Sequence, residues 1–565
     1  MPLAPPTVRA ALLCGGVLAA AACRENLVPA RGPAREVTIS PESAAIAVGD
    51  SVRFTAVARN GSGSVLSGRT LAWSSTDTTV AVVRADGTAL GVRRGEVAIV
   101  AAADSALDTA LLRVQPLVAG VRIAPAGTTL VPGGRYPLAA FIVDPDGVPI
   151  ARVDAQWMAS DTTVARVAAS GEVVAWSEGA VRVRAAFGAL ADSIPVRVTR
   201  VAFTAISAGP SLSTCASGPG GAFCWGSDGG YAGSLGTGAA VELLSTPVGV
   251  ASAEPLTVVS VGDAFACGLT EEGHTYCWGN NAFGRLGSAT SDSVAPSPTP
   301  VSGALVLSSI SAGRRHACGL APDAQLWCWG GNSTGALGAP ITLETSPAPV
   351  AVESPVRFVS VGAGFLHTCA LAEDGTAYCW GRGFQLGDSA GVTGHEPRPV
   401  HGARRYRELS VGWTHTCALA ADSTAWCWGF NLSGESGTTA GTILYVPTLV
   451  EGAPPLAHIA SGYSSTCGLT AAGEAWCWGW NTGGHLGTGD TLSVPTPRPA
   501  GGGVRFAALS AGNQHTCGIG LDGVAYCWGS AALGMLGDGT TEGVRTAPVR
   551  VQGQQGSPAR RAGRR

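Results

Sequence analysis

The sequence predicts an all-β protein in which two sandwich domains precede a seven-fold repeat. Glycine and proline are abundant, at 80 and 35 residues, and both interrupt helices and favour short strands joined by turns. A unit of about 80 residues occurs twice between residues 36 and 200, and a unit of about 50 residues occurs seven times between residues 203 and 551. At 565 residues, the chain is long enough for several separate cores.

The charge pattern excludes several classes of function. Charged residues make up 13% of the chain, the net charge is −3, and all 36 basic residues are arginine. Without lysine, the chain has no P-loop lysine, no Schiff-base lysine and no lysine general base. The one basic cluster lies at the C-terminus and consists of Arg560, Arg561, Arg564 and Arg565. The chain therefore has no extended basic surface of the kind that binds nucleic acid. We interpret residues 553–565 as a solvated, disordered tail.

The N-terminus is typical of an export signal. Arg9 precedes an apolar run, Ala10–Ala22, which is too short to span a membrane and fits a signal peptide of residues 1–22. Residues 20–23, Ala-Ala-Ala-Cys, resemble the lipobox of bacterial lipoproteins, which implies lipidation of Cys23 and a tether over residues 23–35. The alternative is ordinary secretory cleavage near the same alanines. Both interpretations take the chain out of the cytoplasm, and we expect it in the cell envelope, where lipidation would make it a membrane-anchored lipoprotein facing the periplasm or the cell surface.

The two copies between residues 36 and 200 predict two β-sandwiches, residues 36–116 and 117–200. Each copy contains several short alternating strands separated by turns, and each contains a tryptophan, Trp73 or Trp157, around which we expect the core to form. In Val48-Gly49-Asp50, in Trp73-Ser74-Ser75 and at Gly95, the copies resemble bacterial Ig-like domains of group 2. The resemblance implies a stalk or spacer.

A Cys-Trp-Gly sequence marks each of the seven longer repeats, and a second cysteine precedes it by nine or ten positions. The repeats also share a short strand that ends in Gly, a Gly-rich loop and a Pro-Val segment. A fixed period of this size indicates a repeat array or a propeller. The Cys-Trp-Gly sequences occupy residues 224–226, 277–279, 328–330, 379–381, 427–429, 477–479 and 527–529.

The cysteines flank a hairpin whose register can be predicted. In the fourth repeat they are symmetric about Asp374, and Glu373-Asp374-Gly375 suits a three-residue turn with Gly last. This register also sets an aromatic residue opposite Ala or Gly in every repeat, as cross-strand packing requires, and a slip by one residue would destroy the match. The facing pairs are Phe223 and Ala216, Tyr276 and Gly268, Trp327 and Gly319, Tyr378 and Ala370, Trp426 and Ala418, Trp476 and Gly468, and Tyr526 and Gly518.

We therefore expect each hairpin to contain its own disulfide. Zinc is the competing interpretation, but the repeats contain no Cys-x-x-Cys, and two strand thiolates cannot complete a tetrahedral site. An exported chain favours disulfides. The predicted pairs are Cys215–Cys224, Cys267–Cys277, Cys318–Cys328, Cys369–Cys379, Cys417–Cys427, Cys467–Cys477 and Cys517–Cys527.

The repeats resemble the regulator of chromosome condensation (RCC) family. The resemblance rests on the stretch from Ser360 to Leu371, the Trp-Gly pairs and loops such as Gly284-Arg285-Leu286-Gly287. It implies a seven-bladed, RCC-like β-propeller of four-stranded blades over residues 201–552. We expect the strand 548–551, Pro-Val-Arg-Val, to close the ring by completing the first blade.

Nothing in the sequence is convincingly catalytic, and we predict no enzyme activity, no metal site and no cofactor. Four histidines recur two positions before the first cysteine of a repeat, and we interpret them as structural residues between blades rather than metal ligands: His316, His367, His415 and His515. Gly331–Gly335 matches the nucleophile-elbow pattern, but it lies in a repeat loop and not at a strand-to-helix turn. The glycosylation sequons at Asn332 and Asn431 carry no expectation in a bacterial lipoprotein.

The sequence favours a binding or scaffold protein whose propeller loops engage a protein or polysaccharide of the cell envelope, with no nucleic acid or nucleotide. The segments Gly287–Pro300, Gly387–Pro397 and Gly437–Pro447 vary between repeats, as loops that carry specificity do. One alternative is an enzyme inhibitor like the secreted propellers that inhibit β-lactamases, which predicts an aromatic face. Two others are an enzyme with a site at the funnel mouth and the family's guanine-nucleotide exchange activity. Candidate binding residues are Trp413, Tyr463 and Trp480.

Overall fold

The computed structural model describes residues 32–230, 233–290 and 292–554. In these ranges the protein is all-β, as predicted, and its helices are four single-turn 3-10 helices, Ala282–Gly284, Gly383–Gln385, Gly501–Gly503 and Ala532–Gly534. None of the helices in this part of the chain has the length and apolar character needed to cross a membrane. The predicted signal peptide, the lipidation site Cys23 and residues 555–565 of the predicted tail lie outside the described residues. The chain divides into two compact units after Val118.

The first unit is an Ig-like sandwich of three small sheets, ordered β1-β4, β2-β9-β8-β5 and β3-β7-β6. Its fully buried core includes Phe54, Ile99 and Leu112. Trp73 is only half-buried, so the expectation that the tryptophan forms the centre of the core is wrong. The strands are β1 (Glu36–Ser40), β2 (Ser43–Ala47), β3 (Ser51–Arg53), β4 (Thr55–Arg59), β5 (Ala72–Ser75), β6 (Ala81–Val83), β7 (Thr88–Gly91), β8 (Gly95–Ala103) and β9 (Ala106–Gln115).

The second Ig-like copy repeats this design at the start of the second unit. In both copies a glycine with positive φ, Gly87 or Gly171, lies against the tryptophan ring, and an added Cβ would stand 3.0 Å from that ring. The strands of the second copy are β10 (Gly120–Ala124), β11 (Thr128–Leu130), β12 (Arg135–Pro137), β13 (Ala139–Val143), β14 (Pro149–Val153), β15 (Gln156–Ala159), β16 (Ala165–Val167), β17 (Glu172–Ala175), β18 (Gly179–Phe187) and β19 (Leu190–Val198).

Seven four-stranded antiparallel blades follow among the described residues; six are separate sheets, and the first is part of a larger sheet. Blades 1 to 3 contain β20 (Ala205–Ala208), β21 (Ser213–Gly218), β22 (Gly221–Ser227), β23 (Leu243–Gly249), β24 (Val258–Val261), β25 (Phe265–Leu269), β26 (Thr275–Asn280), β27 (Val294–Pro300), β28 (Ser309–Ala312), β29 (His316–Leu320), β30 (Leu326–Gly331) and β31 (Thr345–Ala351).

Blades 4 to 7 also have four strands each. They contain β32 (Phe358–Ala363), β33 (His367–Ala372), β34 (Ala377–Gly381), β35 (Gly394–Pro399), β36 (Tyr406–Val411), β37 (His415–Ala420), β38 (Ala425–Phe430), β39 (Ile443–Leu449), β40 (His458–Ser461), β41 (Ser465–Leu469), β42 (Ala475–Gly479), β43 (Val494–Pro499), β44 (Phe506–Ala511), β45 (His515–Gly520), β46 (Ala525–Ser530) and β47 (Val544–Arg550).

The predicted hairpin register and all seven predicted disulfides are present. In the fourth blade, for example, Cys369 faces Cys379, and Tyr378 faces Ala370. The same pairing recurs in each of the other six blades. Each disulfide joins the second and third strands of its own blade. Since the hairpin is a local structure, its register depended only on residues close in sequence.

The predicted closing strand is wrong. Residues 548–550 belong to β47 and pair with β46, so they complete the seventh blade and not the first. Blade 1 is formed by the continuous segment from β20 to β23. The chain ends meet instead through a short bridge in which the Val201 amide donates to the Gly553 carbonyl at 3.1 Å, next to a pairing of Val201 with Gln554.

The second Ig-like copy is joined to blade 1 by β-pairing. Strand β11 pairs with β19 in its own domain and with β23, the outermost strand of blade 1, through Leu130 and Val248. Both of these side chains are fully buried. Beside them, the Tyr136 hydroxyl donates to Thr237 Oγ1 at 3.0 Å. One sheet of eight strands therefore runs from the Ig-like copy into the propeller.

Candidate binding face at the mouth of the axial cavity

The four strands of a blade alternate in direction, so two of its connections lie at the same end of the propeller. These are the loop from the first to the second strand and the loop from the third to the fourth. We call this end the loop end. The tight turns of the disulfide hairpins and the links between blades lie at the opposite end, which we call the turn end.

Serine hydroxyls join the innermost strands of neighbouring blades. Each accepts a hydrogen bond from a backbone amide of the adjacent blade, as Ser311 does from Ala363 at 2.9 Å. Ser510 of blade 7 makes the same bond to Ala208 of blade 1 at 2.9 Å, so the last junction is built like the internal ones. The other three bonds run from Val261 to Ser207, from Ala312 to Ser260 and from Ser461 to Ser410.

The recurring histidines lie between blades, as predicted. Each is buried, and its Nε2 contacts a threonine hydroxyl of the next blade. The pairs are His316 and Thr368 at 2.8 Å, His367 and Thr416 at 3.0 Å, His415 and Thr466 at 2.8 Å, and His515 and Thr214 at 2.7 Å.

The contact fixes the tautomer of His316, and burial determines the charge of these rings. Thr368 donates its hydroxyl hydrogen to the Ala336 carbonyl at 2.7 Å, so it can only accept from His316, whose Nε2 must carry the hydrogen. Burial lowers the pKa of His316 to about 4 and that of His367 to about 3. A neutral ring whose Nδ1 is buried and has no hydrogen-bond partner among the described residues has a structural role.

A cavity of about 300 Å³ lies on the propeller axis. It is lined by the innermost strands and by the first-to-second loops, including Trp413 and Tyr463. In every blade these loops place one residue directly after a shared glycine, and the type of this residue differs from blade to blade. From blade 1 to blade 7 these residues are Pro210, Asp263, Arg314, Phe365, Trp413, Tyr463 and Asn513.

Three of these residues form a stack that we call the aromatic arc: Phe365, Trp413 and Tyr463. The Phe365 and Trp413 rings are parallel, with centroids 5.0 Å apart, and the Tyr463 ring lies 5.1 Å from Trp413. The Arg314 guanidinium carbon lies 4.3 Å from the centroid of Phe365 and 5.4 Å from that of Trp413, and its Nε donates to Asp263 at 3.1 Å. The structure thus brings together two of the predicted binding residues, Trp413 and Tyr463.

The sequence did not indicate Phe365 and Arg314. The available signal was the change of residue type after the shared glycine, but contacts between residues about 50 positions apart depend on how neighbouring blades pack. The third predicted residue, Trp480, lies in a third-to-fourth loop at the loop end and contacts the His485 ring at 5.4 Å.

Two further arginines lie on aromatic rings at the loop end. Arg315 is 4.8 Å from the centroid of Phe283, and Arg382 is 4.4 Å from that of Phe384. The Phe384 ring in turn meets Phe430 edge to face at 4.7 Å. Among the described residues, neither Arg315 nor Arg382 has a carboxylate partner, whereas Arg314 has Asp263.

The predicted variable segments are only partly loops. Their last residues belong to the outermost strands, for example Val294–Pro300 in blade 2. A buried asparagine organises several of the true loops, because its side-chain amide donates to three loop carbonyls in the case of Asn332. Asn431 acts in the same way. Both sequon asparagines are therefore structural in this fold.

A Glu–His pair lies at the other end of the axial cavity. Nδ1 of His458 is 2.6 Å from Glu408, and Nε2 is 3.4 Å from the Leu509 carbonyl. Each acceptor favours a hydrogen on the nitrogen that faces it, so the two contacts together favour the imidazolium form. Burial opposes this charge, but the hydrogen bond to Glu408 and its negative charge raise the pKa of His458 above its usual value. With both nitrogens engaged, the ring cannot act as a base; it links blades 5, 6 and 7.

The described residues contain one cluster of side chains that could in principle ligate a metal ion. Glu254, Glu272 and His274 bring ligand atoms within 4.8 Å of one another at the turn end. The group is largely exposed, and His274 Nδ1 already pairs with Glu254 at 3.1 Å. The exposed acids and this internal pairing are ordinary surface features.

Known proteins resemble the chain in both parts. Residues 33–112 match the family described as bacterial Ig-like domain (group 2). The ultraviolet-B receptor UVR8 of Arabidopsis thaliana is 28% identical over 200 residues, which are 34% of this chain and 45% of the receptor. The human E3 ubiquitin-protein ligase HERC2 is 30% identical over 256 residues, which are 42% of this chain and 5% of the ligase. The chain thus spans less than half the length of these relatives.

Solved structures share the propeller fold. Human WBSCR16 aligns with a TM-score of 0.53 and 20% identity, over 58% of this chain and 93% of that one. Yeast RCC1 (Prp20) aligns with a TM-score of 0.52 and 22% identity, over 58% and 83%. Residues 229–563, more than half of the chain, match the RCC1-like domain, and the chain belongs to this family.

Proposed function

We propose that this chain is an exported, non-enzymatic binding protein that holds a protein partner on the loop end of its propeller. The observation that carries the proposal is the grouping of the aromatic arc with Arg314, Arg315 and Arg382 at that end. Aromatic residues and arginine dominate the binding energy of protein interfaces. Seven disulfides and the contacts between blades support a rigid platform, which lowers the entropy cost of binding.

The geometry of the arc favours a protein over a polysaccharide. A sugar ring or a nucleobase needs an exposed aromatic face on which to stack. Trp413 lies between Phe365 and Tyr463, so both of its faces are occupied and it presents mainly its edge, and the Arg314 guanidinium lies beside both Phe365 and Trp413. Ring edges carry partial positive charge and suit the carbonyl and carboxylate oxygens of a protein partner.

Relatives of the same fold support a protein partner. The yeast RCC1 structure was solved bound to Kap60, and a second Prp20p structure was described with its binding properties to Gsp1p and histones. We transfer from these relatives only the class of partner. Because we propose that this chain is exported, we propose an envelope protein in place of those partners.

The proposal includes the location of the protein. A lipid on Cys23 would hold the chain at a membrane, and the Ig-like copies would separate the propeller from it. Radioactive palmitate should label the wild-type chain and not Cys23→Ser, and the wild type should fractionate with membranes. An unlabelled chain recovered from the medium would contradict the anchor but leave export intact.

Binding is tested with variants of the arc. Chemical cross-linking of the exported chain to envelope proteins should give a defined adduct that Trp413→Ala with Tyr463→Ala abolishes. Trp426→Ala is a matched control, because this half-buried tryptophan lies away from the arc and contacts Arg404. An adduct that survives in the arc variant, or disappears in the control, would contradict binding at the loop end.

The inhibitor alternative rests on the same aromatic face. If the partner is a hydrolase such as a β-lactamase, the purified chain should slow hydrolysis in a saturable way, and Trp413→Ala should relieve the inhibition. Binding without inhibition would leave the scaffold function and exclude the inhibitor.

A further inference from the structure

We propose that the partner presents an acidic segment, whose carboxylates bind Arg314, Arg315 and Arg382. This inference rests on the proposed function and specifies the chemistry of the partner. The three guanidinium groups lie on blades 3 and 4, in loops that touch each other. The Arg314 amide donates to the Gly364 carbonyl at 3.2 Å, and the Arg382 amide donates to the Leu366 carbonyl at 2.9 Å.

Each of the three arginines is held in place by an aromatic ring. The distances from the guanidinium carbon to the ring centroid are 4.3 Å for Arg314, 4.8 Å for Arg315 and 4.4 Å for Arg382. Stacking fixes the plane of the guanidinium and leaves its edge free to donate hydrogen bonds. A planar donor held in this way suits a carboxylate that accepts two parallel bonds.

The hydrogen-bonding capacity of these arginines is largely unused. Among the described residues, Arg314 donates only through Nε, to Asp263, and its two terminal amino groups have no hydrogen-bond partner. Arg315 and Arg382 have no side-chain hydrogen bond and no ion pair in the same part of the chain. Arg357 and Arg505, by contrast, each have a carboxylate partner.

Carboxylates fit this surface better than nucleic acid does. A single strand binds by stacking its bases on exposed aromatic faces and by a continuous basic groove. Here Phe365 and Tyr463 occupy the two faces of Trp413, Asp263 lies beside Arg314, and the net charge of the chain is −3. Separate, preorganised guanidinium groups match carboxylates at defined positions on a protein surface.

The test selects peptide ligands directly, so the natural partner need not be identified first. A display library of random twelve-residue peptides is selected on the exported, oxidised chain, and the affinity of the recovered peptides is measured by fluorescence anisotropy. We expect these peptides to carry two or more Asp or Glu residues. Replacing those residues with Asn or Gln should weaken binding at least tenfold, and 0.5 M NaCl should weaken it as well.

The second part of the test changes the arginines of the protein and not the peptide. Replacing Arg314, Arg315 and Arg382 with Ala together should lower the affinity at least tenfold without changing the melting temperature. Arg404→Ala should have no effect on binding, because this arginine also stacks on a ring, 3.5 Å from the Trp426 centroid, but belongs to the turn end.

Three results would overturn the inference. Recovered peptides without acidic residues, or a triple variant that binds within twofold of wild type, would exclude carboxylate recognition while leaving protein binding intact. A 20-nucleotide single strand that binds as tightly and with the same arginine dependence would assign the surface to nucleic acid. If the wild-type chain recovers no peptide and forms no cross-linked adduct, the proposed function itself fails.

Discussion

At the residue scale, histidine occupies two environments of opposite electrostatic character in this propeller. His316, His367, His415 and His515 are buried beside neutral threonine hydroxyls, and burial keeps their rings uncharged. His458 lies between the Glu408 carboxylate and a backbone carbonyl, and this pairing keeps its ring charged. The two environments give opposite dependences of stability on pH.

The buried histidines should make the propeller sensitive to acid. Burial lowers the pKa of His367 and His415 to about 3, whereas the unfolded chain takes up protons near pH 6.5. The unfolded state therefore binds more protons below pH 6.5, and the free energy of unfolding should fall as the pH decreases from 6.5 towards about 4. Melting temperatures measured between pH 7 and pH 4 check this expectation.

His367→Ser provides the control for acid sensitivity. Blades 1 and 6 already have serine at this position, Ser213 and Ser465, so the fold accepts the smaller residue. The variant should lose about 1 kcal/mol at neutral pH with the bond to Thr416, and its stability should decline less steeply in acid. An equally steep decline in the variant would show that this histidine is not among the groups responsible.

His458 should behave in the opposite sense. Its pKa is raised in the folded protein, so its contribution is complete below pH 6.5 and is lost as the pH rises through the folded value. The difference in unfolding free energy between the wild type and His458→Gln should be larger at pH 6 than at pH 9, as measured by urea denaturation. A difference independent of pH would contradict a charged ring.

At the element scale, the hairpin was predictable and the loops were not. The register of β33 and β34 follows from residues within one short turn, and Cys369 and Cys379 face each other as the sequence indicates. The stack of Phe365 on Trp413 joins different blades, and no short-range pattern records it. The closing strand was assigned wrongly because the Pro-Val pattern of residues 548–551 fits the outermost strand of any blade, and only the pairing shows which one it joins.

The pairing of β11 with β23 could not be predicted from the sequence either. The Ig-like resemblance implied a spacer, but the second copy covers the outer edge of blade 1 through Leu130 and Val248. An uncovered sheet edge exposes unpaired backbone groups and promotes association. The second copy is therefore part of the folded propeller unit and not a detachable stalk.

Removing the second Ig-like copy should destabilise the propeller. A fragment of residues 201–554 exposes β23 and loses the bond from Tyr136 to Thr237, so we expect a lower melting temperature and association that increases with concentration. Residues 119–554 are the matched control and should remain monomeric. Light scattering and calorimetry on both fragments check this, and equal stability would show that the pairing contributes nothing.

At the scale of the whole molecule, the ring closes with the same contacts that join its internal blades. Ser510 binds Ala208 across the last junction as Ser311 binds Ala363 across an internal one. The His515 contact with Thr214 and the Trp225 hydrogen bond to the Met535 carbonyl repeat internal contacts too. Closure by repeated side-chain contacts removes the need for a strand from the other end of the chain.

Ser510→Ala and Ser311→Ala should therefore cost the same stability. Each removes one hydrogen bond to a half-buried amide, worth about 1 kcal/mol. Urea denaturation of the two variants and the wild type checks the equality. A negligible cost for Ser510→Ala beside a clear cost for Ser311→Ala would indicate that blades 1 and 7 do not close in solution.

The central claim is that the loop end of this closed ring is the binding face. Hydrogen–deuterium exchange of the purified, oxidised chain, with and without its cross-linked partner or a selected acidic peptide, tests it most directly. We predict protection in the first-to-second loops, at residues 313–315, 364–366 and 412–414, and none in the hairpin turns at residues 271–274 and 373–375. Protection confined to the hairpin turns would place the partner at the opposite end and contradict the account.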